Sequence, residues 1–294
     1  MKAVIFPGQG SQYVGMGKDI YDNFPQVRSI FSQVEEIAGF ELSKKCFFGP
    51  EEELKDTSTQ QLAILAVSLG CFEIFKQKHI KIDYFAGLSL GEYSCLNPAG
   101  VLSLENLVTL VKARGLAMQE ASLASSSCMF AVIGLEERVL REGQASGFYI
   151  ANKNCPGQIV ISLSQENRFK IKEALINLGA RVVELEVSGG FHSPFMEAAK
   201  ARLEKAVNDM DFFDANIPIV SNVTARAHQN KEEIKKNLIE QLTSTVLWRD
   251  CVEFMAAKGV EAFFEVGPSK VLRGLIRKIN PQIEVINIEK KEDL

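Results

Sequence analysis

Tyr84-Phe85-Ala86-Gly87-Leu88-Ser89-Leu90-Gly91-Glu92-Tyr93-Ser94-Cys95-Leu96 reads as a short apolar strand, an abrupt turn and a helix. The strand runs straight into Gly87, and G-x-S-x-G in that setting is the pattern of a nucleophile elbow. A residue held on so sharp a turn needs small neighbours two positions to either side, since a β-carbon there would collide with the adjacent strand or helix. The same turn aims the Leu90 N–H at the space in front of Ser89, beside the positive end of the following helix. An ordinary glycine-rich turn with a solvent-facing serine shares the pattern, and the strand-to-helix setting favours the elbow.

Working outward, Ala3 to Phe6 is a continuous apolar run, as expected of a parallel strand covered on both faces. It ends in Pro7-Gly8-Gln9-Gly10-Ser11-Gln12. Helices are predicted over about 19–38 and 59–78, the second capped by Ser58 or Thr59. Between 128 and 187 the rhythm changes to strand (129–133), helix (136–144), strand (148–152), strand (158–163), helix (165–178) and strand (181–187). That is βαββαβ, the order of a ferredoxin-like unit. Ala121 to Ser127 reads as the linker into it and Ser188-Gly189-Gly190 as the way out. Helices near 195–209, 231–242, 248–258 and 269–278, with strands at 217–220, 262–266 and 283–286, then resume the α/β pattern. The expected organisation is a large α/β domain (1–124 and 190–294) with a small domain (125–189) inserted.

Composition bounds the function. The 294 residues are 46% hydrophobic and 24% charged, as in an ordinary globular protein. Thirty-three Lys plus Arg against 37 Asp plus Glu leaves a net charge of −4, so no global basic field invites nucleic acid. No uninterrupted apolar run of membrane-spanning length occurs, and neither membrane association nor a signal peptide is expected. The six cysteines lack C-x-x-C or metal-ligand spacing, and are expected to be reduced and buried in a cytoplasmic protein; no metal is expected. Gly8-x-Gly10 is followed by Tyr13 where a dinucleotide fingerprint needs its third glycine, and no phosphate-binding loop is present, so no nucleotide cofactor is expected.

A serine nucleophile needs a base, most often His. Of three histidines, His79 lies among lysines at a helix end and His228 in the polar stretch 227–230. His192 follows a strand and two glycines, in Ser188-Gly189-Gly190-Phe191-His192-Ser193-Pro194, and a strand end is where a parallel α/β sheet places its site. Gln9, in the loop after the first strand, is the side chain expected to add a second oxyanion donor, by analogy with serine hydrolases. Arg114 sits in a mostly apolar helix, where a planar fork of donors suits a substrate carboxylate. Pairing with a nearby acid is the alternative reading of Arg114.

Together, Phe6-Pro7-Gly8-Gln9-Gly10-Ser11-Gln12, Gly87-Leu88-Ser89-Leu90-Gly91-Glu92-Tyr93, Arg114-Gly115 with Met118-Gln119, Asn152-x-Asn154-x-Pro156-x-Gln158, Phe191-His192-Ser193-Pro194 and Glu265-Val266-Gly267-Pro268 resemble the malonyl-CoA:acyl-carrier-protein transacylase family, in order and over nearly the whole chain. The resemblance implies an α/β-hydrolase-like large domain with a parallel sheet core and the inserted ferredoxin-like domain. It implies Ser89 as acylated nucleophile, His192 as base, and Gln9 with the Leu90 N–H as oxyanion hole. Arg114 would grip the malonyl carboxylate, and Phe191 resembles the malonyl-selecting form of related acyltransferases. Met118, Asn152 and Asn154 join the substrate-binding set on the same ground. Gln241, in Gln241-Leu242-Thr243-Ser244-Thr245-Val246-Leu247-Trp248, matches the residue whose main-chain carbonyl orients the histidine.

The implied activity moves malonyl from malonyl-CoA to the phosphopantetheine thiol of acyl carrier protein, in fatty-acid synthesis by default, with no cofactor. The carrier would dock through Lys270, Arg273 and Arg277, which helical spacing puts on one face; a solvated face is the plainer explanation. Alternatives are a polyketide-pathway malonyl acyltransferase, a serine thioesterase and a docking module without chemistry. Two departures from the family pattern stand out: Leu88 where many members carry His, and Asn97-Pro98, which should end or kink the elbow helix near Asn97.

Overall fold

A computed structural model describes residues 1–143 and 147–293. The strands among the described residues, numbered in chain order, are β1 (Lys2–Phe6), β2 (Tyr84–Gly87), β3 (Ser127–Ile133), β4 (Phe148–Cys155), β5 (Gln158–Ser164), β6 (Arg181–Glu184), β7 (Ile219–Val220), β8 (Ala227–His228), β9 (Ala262–Val266) and β10 (Glu284–Ile288). The main sheet has the order β10-β9-β1-β2-β7-β8 and is parallel except for the β7–β8 pair.

β1 shows why this sheet is central. Its alternate side chains enter opposite cores: Val4 and Phe6 pack with the Thr57–Phe75 and Leu104–Ala124 helices, Ala3 and Ile5 with the Trp248–Ala257 and Val271–Ile279 helices. A strand covered on both faces has no use for polar residues, hence its unbroken apolar run. Its register pairs Phe6 with Gly87, so the loop after β1 and the turn after β2 emerge side by side at the carboxyl edge.

The second sheet is antiparallel, in the order β4-β5-β3-β6, with the Glu137–Gly143 and Arg168–Asn177 helices between its strands. This is the predicted βαββαβ succession and the ferredoxin-like strand order. Gln144, placed in the first of these helices by its sequence, lies outside the described residues.

The structure corrects several predicted boundaries. The stretch 19–38 is two helices, Lys18–Asn23 and Pro25–Ala38, because the residue before a proline is held extended and Phe24 adopts φ −127°, ψ 113°. The next long helix begins at Thr57, and its cap is Asp56, which accepts from the Thr59 N–H, rather than Ser58 or Thr59. Residues 57–78 have the hydropathy and length of a membrane-crossing segment, yet 89% of the apolar window is buried in the fold, the mark of a core helix. The expected linker 121–127 is instead the end of the Leu104–Ala124 helix and the start of β3. The elbow helix is short, Leu90–Ser94, ending before Asn97, whose side chain donates to the Leu102 carbonyl.

Candidate active site

Ser89 sits at the carboxyl end of β2 with φ 53° and ψ −104°, backbone values that a non-glycine residue holds only when its surroundings impose them. The surroundings are tight. A β-carbon on Gly87 would overlap the Gly91 carbonyl, one on Gly91 would overlap the Phe6 carbonyl, and one on Gly8 would overlap the Leu88 carbonyl. These contacts bind the β1 loop against the elbow and explain the glycines as sites of close backbone approach.

His192 arrives from the loop after the second sheet, itself at φ 54°, with Gly190 N–H donating to the Ser127 hydroxyl and Ser162 donating to the Phe191 carbonyl. Its Nε2 lies 2.8 Å from Ser89 Oγ and its Nδ1 2.8 Å from the Gln241 main-chain carbonyl. A carbonyl only accepts, so Nδ1 carries the proton and Nε2 offers its lone pair to the Ser89 hydroxyl. Burial lowers the His192 pKa to about 4, with the nearby Arg114 charge adding to the effect and the Gln241 carbonyl opposing it. The imidazole is therefore neutral above about pH 4.

Arg114 is completely buried on the Leu104–Ala124 helix. A β-carbon on the next residue, Gly115, would crowd Ser58, which shows how closely this helix meets the start of the Thr57–Phe75 helix. The guanidinium donates to Gln61 Oε1 (2.7 Å), Ser89 Oγ (3.1 Å) and Gln241 Oε1 (3.1 Å), and lies over the Tyr93 ring at 4.7 Å. Among the described residues no carboxylate pairs with it and its Nε has no acceptor. Direct pairing of Arg114 with an acid is thus corrected: the fork is buried beside the serine, and its hydrogen bonds among the described residues all go to neutral acceptors, an arrangement that can receive an anion. Met118, one turn on, accepts from Gln61 and so backs the same assembly.

The structure redirects Gln9. Its side-chain amide donates to Gln60 on the neighbouring helix. Its main-chain N–H has no acceptor among the described residues, nor does the Leu90 N–H at the head of the elbow helix, while the Ser89 N–H is taken by Asn222 Oδ1 at 2.7 Å. Phe191 is buried next to His192. Asn152 and Asn154 are buried on β4, Asn152 bridged to Val246, and no hydrogen bond joins either side chain to Ser89, His192 or Arg114. Lys270, Arg273 and Arg277 lie on the Val271–Ile279 helix or its cap and form no ion pair among the described residues. The Glu265 carboxylate, at the end of β9, accepts from the Leu272 and Arg273 N–H groups, both at 2.8 Å, and so anchors that helix. All six cysteines are free and buried, and among the described residues no cluster of His, Cys, Asp and Glu is placed to hold a metal ion.

Asn222, Glu92 and Gln61 belong to this site and were not singled out by sequence. Asn222 follows β7 at the carboxyl edge of the sheet, and Glu92 and Gln61 are polar residues inside apolar helices. Those positions were the available signals.

A serine–histidine pair on a strand-to-helix elbow, with a buried guanidinium on the serine, defines an acyl-transferring class of site, and the chain belongs to the acyl transferase domain family, whose model matches residues 4–289. Among its relatives is the malonyl CoA-acyl carrier protein transacylase of Bacillus subtilis, 40% identical over 99% of this chain and 94% of that protein. Solved structures agree. The malonyl-CoA:acyl carrier protein transacylase of Xanthomonas oryzae superposes with a TM-score of 0.95 at 37% identity, covering 99% of this chain and 95% of that one. A malonyl-transacylase in complex with its type II polyketide acyl-carrier protein superposes with a TM-score of 0.94 at 34% identity, covering 99% and 97%.

Proposed function

We propose that this protein transfers the malonyl group from malonyl-CoA to the phosphopantetheine thiol of acyl carrier protein through a malonyl ester on Ser89. Ser89 Oγ attacks the thioester carbonyl as His192 Nε2 takes its proton. The C–S bond breaks and the CoA sulfur leaves with that proton. The carrier thiol then attacks the ester, His192 again receiving a proton and returning it to Ser89. One thioester replaces another, so the exchange is near thermoneutral and calls for neither ATP nor a metal.

The main-chain N–H groups of Gln9 and Leu90, both without acceptors among the described residues, are assigned to the oxyanion, and Arg114 to the malonyl carboxylate. The observation that carries the reading is the shared Ser89 oxygen: it meets the base at 2.8 Å and the anion-binding fork at 3.1 Å. Intact-mass measurement tests it directly. Malonyl-CoA should add one malonyl mass to the protein, and holo carrier protein should remove it as malonyl-carrier; release as free malonate instead would make this a thioesterase.

Lys270, Arg273 and Arg277, without an ion pair among the described residues and within one helical arc, are proposed as the docking face for an acidic carrier. Reversing Arg273 and Arg277 to Glu should raise the KM for carrier about tenfold and leave that for malonyl-CoA unchanged. An unchanged carrier KM returns these charges to an ordinary solvated surface. The buried thiols suit a reducing compartment, and we assign the protein to the cytoplasm on that ground.

A further inference from the structure

Beneath the elbow lies a buried carboxylate that the transfer chemistry does not use. Glu92 Oε2 accepts from Gln241 Nε2 at 2.6 Å and from the Asn222 main-chain N–H at 3.0 Å. Each of those partners reaches the reacting groups from its other side. Asn222 Oδ1 takes the Ser89 N–H and its Nδ2 donates to the Gly87 carbonyl at 2.8 Å. The Gln241 main-chain carbonyl orients His192, while its side-chain Oε1 accepts from Arg114 and its Nε2 also donates to the Ser89 carbonyl at 3.1 Å. One amide therefore stands between a buried anion and a buried cation, its N–H end on Glu92 and its oxygen end on Arg114. An amide in that orientation polarises along the line joining the charges and strengthens both bonds.

Resting on the transfer reading above, we propose that Glu92 is the positioning anion of the site: it balances Arg114 across the Gln241 amide and thereby holds the His192 and Ser89 supports in register. A guanidinium buried without a carboxylate partner is costly, and Glu92 is the anion that the hydrogen-bond chain connects to it. The other groups facing Glu92 do not replace this role. Tyr93 on its own helix, Cys95 just past that helix and Cys251 on the Trp248–Ala257 helix are buried and neutral, their pKa values raised by burial. His228 on β8 is bonded to Thr224 and Glu233. Burial pushes the Glu92 pKa up to about 6, against the opposing pull of the Asn222 and Gln241 bonds. The charged form required here is lost as pH falls through that value, whereas His192 stays neutral down to about pH 4.

Glu92→Gln keeps the shape and removes the charge. The expected result is a loss of about a hundredfold in kcat for malonyl transfer, the scale of a misplaced catalytic group, with a smaller change in KM. The acid limb of kcat/KM, near pH 6 in the unmodified enzyme, should move towards pH 4 in the variant. An acid limb that stays near pH 6, or an unchanged kcat, overturns the proposal. A second measurement separates charge balance from simple support: with acetyl-CoA as donor, Glu92→Gln should cost little in an Arg114→Ala background, and an undiminished cost there overturns the pairing. Should Glu92→Gln alone fail to fold, recovery of folding in the Arg114→Ala background supports the pairing and continued failure overturns it. Malonylation of the unmodified protein, followed by mass in parallel, keeps a failure of this proposal distinct from a failure of the transfer reading.

Discussion

Ser89→Ala will fold and take up no malonyl group from malonyl-CoA. The substitution removes the one oxygen that both His192 and Arg114 address, and leaves each of them a remaining partner in Gln241. The turnover rate should fall by roughly five to six orders of magnitude, the scale seen when a serine nucleophile is lost. His192→Ala should cost nearly as much, and the double variant little more than either, because the two groups act as a unit. Residual malonyl mass on the Ser89→Ala protein would place the ester elsewhere. The strained backbone adds a second expectation. Glycine tolerates φ 53° where alanine pays for it, so Ser89→Gly should be equally inactive yet about 1 kcal/mol more stable than Ser89→Ala in urea unfolding. Equal stabilities would mean that the elbow stores no strain at Ser89.

The groups that were legible in the sequence are those that look chemically out of place there. Ser89 stands between glycines at a strand end, His192 follows a strand and two glycines, and Arg114 interrupts an apolar helix. The structure brings these three together. The sheet was legible because β1 and its neighbours are covered on both faces and cannot disguise their apolar runs.

What escaped was relational. Glu92 meets Asn222 and Gln241 across 130 and 149 residues of chain, and no local pattern announces a hydrogen bond of that reach. Gln241 entered only through family resemblance, since a main-chain carbonyl leaves no trace in residue type. The direction of the Gln9 side chain depends on Gln60, a partner on another helix. The break at Phe24 was readable from Pro25 yet hidden within a stretch whose two halves both favour helix, and β8, two residues long, is too short to show an alternation.

Arg114→Ala should separate malonyl from acetyl donors. In the free protein the guanidinium is held by neutral acceptors, Gln61, Gln241 and the Ser89 hydroxyl, and among the described residues its Nε has no partner, so it is oriented with no carboxylate in direct contact. A carboxylate arriving beside Ser89 completes a buried ion pair, and removing one member of such a pair costs about 3–5 kcal/mol. That corresponds to a fall in kcat/KM for malonyl-CoA of about a hundredfold to a few thousandfold. Acetyl-CoA brings no carboxylate, so its loss should be far smaller, confined to the Arg114 contacts with Ser89 Oγ and Gln241. Because the Arg114 charge helps hold the His192 pKa down, the base should also titrate higher in Arg114→Ala, moving its own protonation step up from about pH 4. Arg114→Lys keeps the charge but replaces a planar fork with a single point donor, so it should recover only part of the malonyl preference. Equal losses on both donors would remove Arg114 from carboxylate recognition and leave it a support for Ser89 and Gln241 alone.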